Sequence, residues 1–216
     1  MSSDAYYGTL RQQIVDLCPE HIDRAFEIGC GYGSTLAWLK THKTYQWVGG
    51  AEVSPAAAAQ ARERLDLVVE GDVERDPLPI DEASLDLLLC LDVLEHLRDP
   101  WAFLARACRL LKPGATFVAS LPNLRHHSVV MPLLLRGEFA YQPAGILDQT
   151  HLRFFTRAGI VGLVESAGIA IDRVEPTCME PGSRSNTLNK LSFGALEGFL
   201  AYQYIVRGVR LANSGG

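Results

Sequence analysis

Apolar and polar positions along this chain alternate between two periods. Short apolar runs at 24–28, 46–53, 66–70, 85–91 and 116–121 read as strands, and between them 34–40, 55–65 and 100–111 carry apolar residues at helical spacing. The run LDLLLCL at 85–91 is almost uninterrupted, which predicts a strand buried on both faces in the middle of a parallel sheet. Ahead of the first strand, Tyr6, Leu10, Ile14 and Leu17 recur at helical spacing until Pro19 closes the pattern, so a leading helix is predicted over 5–18. Its aromatic pair, Tyr6 and Tyr7, either packs on the core or covers a ligand. Pro55 and Pro100 suit first helical turns, Asp99 and Thr156 suit N-caps, and Gly168 suits the end of a helix whose face is Ile160, Leu163, Val164 and Ala167. A sixth strand is predicted at 169–174, and FLAYQYIVR at 199–207 reads as a seventh that returns beside it. This succession implies an α/β fold with a doubly wound, mainly parallel seven-stranded sheet, in a single domain over 1–216.

One stretch breaks the rhythm. Residues 124–147 are too long and too apolar for a simple connection, with Val129, Val130, Met131, Leu133, Leu134 and Leu135 in one cluster. Insertions of this kind are lids or binding loops, so an apolar lid after strand five is expected, with 124–155 forming the side that meets an acceptor.

The polar punctuation falls at the carboxyl ends of the strands, where doubly wound sheets bind ligands. The first strand runs into Gly29, Gly31 and Gly33, Glu52 ends the second, Asp72 the third, and Asp92 with Glu95 the fourth. Bare backbone lets a ligand lie close, one carboxylate can accept from both hydroxyls of a ribose, and another can accept from an exocyclic adenine amine. A nucleoside cofactor is therefore expected. A dinucleotide fingerprint would want a glycine at position 34, where the chain has Ser34, and no Tyr and Lys pair of a reductase is recognisable.

Composition narrows the classes further. The 216 residues are 48% hydrophobic with a net charge of −5, which argues against a surface built to neutralise a nucleic-acid backbone. No run approaches the ~20 apolar residues of a membrane span, and residues 1–20 lack the pattern of a signal peptide. The five cysteines never form CxxC, so neither a disulfide framework nor a zinc knuckle is suggested, and a reducing, cytoplasmic setting is expected.

EIGCGYG, VGGAEVSP, GDVE, LDLLLCLDVLEHLRDP and LLKPGATFVASLPN, in this order over 25–174, resemble the successive motifs of class I S-adenosylmethionine-dependent methyltransferases. PNLRHHSVV followed by GILDQTHLRFFT is similar to a narrower group of small bacterial methyltransferases, many of them encoded with glycosyltransferases and acting in surface-glycan or lipopolysaccharide synthesis. The resemblance implies S-adenosylmethionine as cofactor. Gly29, Gly31 and Gly33 would pass its methionine part, Glu52 would hold the ribose, Asp72 with Val73 would meet the adenine, and Glu27 would orient the glycine loop or the cofactor's amino group. Asp92 would stand near the sulfonium and the acceptor.

Methyl transfer to a hydroxyl, the expected reaction with a small-molecule or saccharide acceptor, leaves one proton to remove. His151 is the first candidate base, followed by His126 and His127, with Asp148 or Glu95 as helpers; Asp148 lies three residues from His151 and could orient its imidazole. The same histidines also suit helix capping or a polar core site. Arg125, Arg136, Arg153 and Arg157 could bind an acidic acceptor or simply form a solvated face. A metal at Asp92, His96, Asp148 and His151 matches no standard spacing, and none is expected. A noncatalytic S-adenosylmethionine-binding regulator or partner protein is the other reading. It predicts a cofactor site without a base.

Overall fold

The computed structural model of the chain describes residues 12–179 and 182–212. Seven strands form one sheet: β1 (His21–Ile28), β2 (Thr44–Glu52), β3 (Leu67–Glu70), β4 (Leu85–Leu91), β5 (Leu111–Pro122), β6 (Ile169–Pro176) and β7 (Gln203–Arg210). Their order is β3-β2-β1-β4-β5-β7-β6, and only β7 runs against the rest. The predicted doubly wound topology is thus observed, with the switch in strand order at β1 and β4.

β4 occupies the middle for the reason its sequence gives. Alternate leucines enter opposite faces: Leu88 packs with Phe26 and Phe117 on one side, while Leu87 and Leu89 pack with Val48 and Val118 on the other. The register Phe26↔Leu88↔Phe117 carries this layer across three strands, each fully buried side chain contributing about 1.5–3 kcal/mol.

The helices are α1 (Ser34–His42), α2 (Pro55–Ala61), α3 (Pro100–Ala107), α4 (His127–Arg136), α5 (Arg157–Ser166), α6 (Arg184–Leu191) and α7 (Glu197–Leu200). The expected caps are in place: Asp99 Oδ1 accepts from the Ala102 N–H at 3.0 Å and Thr156 Oγ1 from that of Gly159 at 3.3 Å.

Several boundaries differ from expectation, β1 starting at His21 rather than at 24 and α2 ending at Ala61 rather than at 65; three further differences have a visible cause or bear on the site. Of the leading helix, the described part is a 3-10 segment, Gln12–Leu17, while Tyr6 and Tyr7 lie outside the described residues. β5 starts at Leu111 rather than at 116, because Lys112 is drawn to Asp86 at 2.7 Å and Asp86 Oδ2 also accepts from the Asp23 and Arg24 N–H groups of β1. β7 starts at Gln203 rather than at 199, because 197–200 coil into α7, where the buried Asn123 amide donates to the Gly198 and Ala201 carbonyls at 2.9 and 2.8 Å.

The segment after β5 folds into α4, which buries Val129 with Ile146 and Leu147 but leaves Leu134 and Leu135 72% and 73% exposed. Among the described residues, no helix is long and apolar enough to cross a membrane. Cys18, Cys30, Cys90 and Cys108 are buried free thiols, and burial pushes Cys18 and Cys108 up to about 12, so they serve packing rather than nucleophilic chemistry.

Candidate active site

The glycine turn folds back over the end of β2. The N–H groups of Gly29 and Cys30 both donate to the Ala51 carbonyl, at 2.8 and 3.0 Å. Gly29, Gly31 and Gly33 all have positive φ, and a Cβ on Gly29 would fall 2.4 Å from Cγ2 of Val93, just beyond β4. The turn therefore needs glycine for its own conformation as well as for any ligand. The Gly31 N–H donates to Glu52 Oε2 at 2.9 Å, and Glu52 Oε1 accepts from the Ser54 N–H at 2.8 Å. Glu52 is only 5% exposed, yet each of its oxygens, holding one N–H, retains a lone pair for a further donor. Glu27 is buried in β1, level with Gly50 of β2 and Leu89 of β4.

After β3 the loop is tied by its own acids. Asp72 Oδ1 accepts from the Glu74 N–H at 3.0 Å and Asp72 Oδ2 lies 3.4 Å from Arg75, while the Val73 carbonyl accepts from Arg106. Glu74, which closes the GDVE motif, was passed over in the sequence. Its carboxylate accepts from the N–H groups of Arg98 and Asp99, at 3.0 and 2.8 Å, and so fastens this loop to the one after β4.

Asp92 leaves β4 with φ of 55°, a left-handed conformation that side chains other than glycine rarely adopt and that tends to mark functional strand ends. Its Oδ1 accepts from Ser120 Oγ at 2.9 Å and from the Gln203 side-chain amide, and its N–H donates to the Ser120 carbonyl at 3.2 Å. Ser120 and Gln203 carried no local signal, since the sheet order alone brings them to Asp92.

Beyond Asp92 the 3-10 turn Leu94–His96 meets the segment after α4. The Glu95 carbonyl accepts from the N–H groups of Leu152 and Arg153 at 2.8 and 2.9 Å, which lays His151 beside His96. Their ring centroids are 4.7 Å apart with the planes at 75°. His151 Nδ1 is 2.9 Å from the Ile146 carbonyl and His96 Nδ1 is 3.2 Å from that of Thr150. A carbonyl only accepts, so both protons are assigned to Nδ1, and each Nε2 carries a lone pair. Burial pushes the His96 imidazole below its ordinary value, and the adjacent His151 pushes it the same way. Glu95 is 1% exposed and His151 7%. One ligand atom from each of Glu95, His96 and His151 lies within 4.8 Å of the others.

The remaining candidates sit elsewhere or act differently. Asp148 does not hold the His151 ring. Its Oδ1 accepts from the N–H and hydroxyl of Thr150 at 2.8 and 2.6 Å, and the Ile146 carbonyl orients the imidazole instead. Burial pushes the Asp148 carboxyl up, but these Thr150 bonds, with His151 and His96 nearby, leave it below the usual range. His126 is the N-cap of α4, its Nδ1 accepting from the Ser128 N–H at 3.3 Å; burial, with His127 adding, pushes it down to about 4. His127 Nδ1 binds the Phe199 carbonyl. Arg153 donates to the Arg98 carbonyl, Arg136 pairs with Glu138 at 2.8 Å, and Arg157 lies 3.8 Å from Glu197, so these three cations already have partners within the chain. Two surface clefts, one lined by His21, Thr44 and Asp86 and the other by Arg109, Gly168 and Arg210, lie at the amino ends of the strands, away from this constellation.

Residues 26–119 match the family model described as a methyltransferase domain. A ubiquinone biosynthesis O-methyltransferase of Maricaulis maris is 31% identical over 103 residues, 46% of this chain and 41% of that protein. A ubiquinone biosynthesis O-methyltransferase of Methylobacterium nodulans is 29% identical over 159 residues, 67% of this chain and 59% of that one. The chain spans about half the length of the first curated relatives it matches. The crystal structure of an S-adenosylmethionine-dependent methyltransferase from Mesorhizobium loti superposes with a TM-score of 0.65 at 19% identity, over 94% of this chain and 99% of that one. That likeness is one of fold. The sheet order is the fold of class I methyltransferases, and residues 26–119 are similar to a methyltransferase domain. S-adenosylmethionine is the cofactor of that class.

Proposed function

We propose that the protein transfers a methyl group from S-adenosylmethionine to a hydroxyl oxygen of a small-molecule acceptor. The supporting observation is one adjacency: Val93, which touches the Gly29 turn, stands two residues before Glu95, so the cofactor-type strand ends and the Glu95–His96–His151 cluster share one edge. The residues present fit the cofactor. Glu52 keeps lone pairs for a ribose diol, Gly29, Gly31 and Gly33 offer bare backbone, Asp72 and Val73 would border the adenine side, and the buried Glu27 would orient the glycine turn or the cofactor's amino group.

When bound, the cofactor supplies an already activated methyl group on its sulfonium. The chain's own task is to position the acceptor and take its proton. His151 Nε2 fits that task, since its tautomer is fixed from behind by Ile146; His126, held near 4, is too weak a base to favour. Residues 124–155 form the acceptor side, with α4 as lid and Asp92 between the two halves. The curated relatives named O-methyltransferases support oxygen as the methylated atom. A saccharide acceptor in surface-glycan synthesis, handled in the cytoplasm by a single domain, is the finer reading that the PNLRHHSVV and GILDQTHLRFFT resemblance supports.

The competing reading, a noncatalytic cofactor-binding partner, leaves the converging histidines without a task. Calorimetry with S-adenosylhomocysteine and with NAD tests the cofactor, and binding of the former alone is expected. A labelled-methyl transfer screen over hydroxylated small molecules and sugars then tests the activity. Tight cofactor binding with no transfer to any acceptor would favour the noncatalytic reading.

A further inference from the structure

The Glu95–His96–His151 cluster carries more than a base assignment. Two imidazoles and a buried carboxylate each bring one ligand atom within 4.8 Å of the others, and both rings have Nδ1 facing a backbone carbonyl. The groups behind them match what metal-binding histidines use: each Nδ1–H is held by a backbone carbonyl, that of Ile146 for His151 and that of Thr150 for His96. Thr150 is itself held by Asp148, and the Glu95 carbonyl anchors 152–153, so donors far apart in sequence stand on a bonded frame.

We propose that Glu95, His96 and His151 form a binding site for a divalent first-row transition metal, with positions left open for the acceptor oxygen. The donor set decides the metal class, since two imidazoles and one carboxylate suit Zn²⁺, Fe²⁺ or Co²⁺, while Mg²⁺ and Ca²⁺ favour all-oxygen sites. Bonds of ~2.0–2.2 Å put ligand atoms roughly 3.0–3.5 Å apart, so the donors close slightly on the ion. This rests on the proposed function in one respect only, the acceptor. There it changes the division of labour: the cation would lower the pKa of a bound hydroxyl so that its proton passes to solvent water, and His151 would serve as ligand instead of base. The proposed donor set differs from the one weighed in the sequence: it takes Glu95 in place of Asp92 and Asp148, and joins two segments that meet only in the fold.

The test uses the whole chain, stripped with a chelator and titrated with Zn²⁺ by calorimetry. One site is expected, with affinity falling about 100-fold in Glu95→Gln, His96→Ala and His151→Ala. His42→Ala, on α1, should bind as the parent does. Co²⁺ should give visible d–d absorption that His151→Ala abolishes, and far-UV circular dichroism of each variant checks the fold. Absence of a site in the parent, or equal Zn²⁺ affinity in folded His96→Ala and His151→Ala, overturns the proposal. Should one of these variants fail to fold, the Co²⁺ spectrum of the folded one decides alone. S-adenosylhomocysteine binding, measured separately, distinguishes the two claims: its absence beside an intact Zn²⁺ site would sink the function and leave the metal standing, and the reverse result would sink the metal.

Discussion

The glycine turn and the 124–155 segment both lie at the carboxyl end of the sheet, yet they are held in opposite ways. In the turn, the N–H groups of Gly29, Cys30 and Gly31 lock onto Ala51 and Glu52 of the neighbouring strand. In the second segment, side chains clasp nearby backbone, as His151 does Ile146 and Asp148 does Thr150, while Leu134 and Leu135 face solvent. The first is fixed by sheet register and suits a ligand that never changes. The second is fixed by short-range side-chain bonds and, at 152–153, by the Glu95 carbonyl beyond β4, so most of it can be altered without disturbing the sheet, as suits the acceptor side proposed for it.

The sharpest way to break this contrast is a matched pair of substitutions. Gly29→Ala and Gly137→Ala put a methyl group on backbones of almost equal φ, 69° and 68°, but the first meets Val93 at 2.4 Å and the second meets nothing within 4 Å. Urea unfolding should show a loss of about 3 kcal/mol for Gly29→Ala and about 1 kcal/mol for Gly137→Ala. Equal losses would mean that the turn is no more constrained than the end of α4.

Glu52→Gln should follow in size. It keeps one acceptor oxygen but loses the charge and turns an NH2 towards the other N–H, so S-adenosylhomocysteine affinity should fall about 10- to 30-fold by calorimetry, with a loss of about 1–2 kcal/mol in stability. An unchanged affinity would remove Glu52 from the ribose.

Two smaller effects probe the acceptor side. His126 falls from 6.5 to about 4 on folding, so between these values the unfolded chain binds more protons. Its stabilising contribution is complete above pH 6.5 and is lost as pH drops towards 4, about 1–2 kcal/mol after allowance for water around the ring. His126→Asn, which keeps a cap, should flatten that part of the stability curve. Leu135→Ser, at a position 73% exposed, should change stability by less than about 0.5 kcal/mol. A larger loss would show that α4 packs more tightly than its exposure indicates.

The same contrast explains what the sequence disclosed. β4 ends where its apolar run ends, at Leu85 and Leu91, and Asp99 and Thr156 cap the helices they were expected to cap, because burial and capping are written locally. The start of β7 was misplaced because the alternation in FLAYQYIVR looks like a strand throughout, while a distant partner, Asn123, claims the carbonyls of Gly198 and Ala201. His151 was legible as a candidate base three residues from Asp148, just after the apolar stretch 124–147. Its meeting with Glu95 and His96 was not, since two backbone bonds to the Glu95 carbonyl create it across more than fifty residues.

β6 touches no strand but β7, and β7 is made after it. During synthesis, then, β6 leaves the ribosome with no edge to join, and the exposed flank of β5 waits for a strand that must enter between them in the reverse direction. The first residue of that strand, Gln203, completes the bonds of Asp92. Completion of this edge is thereby timed to the synthesis of β7, and a nascent chain stalled before residue 203 would hold a finished glycine turn beside an Asp92 still lacking a partner from β7.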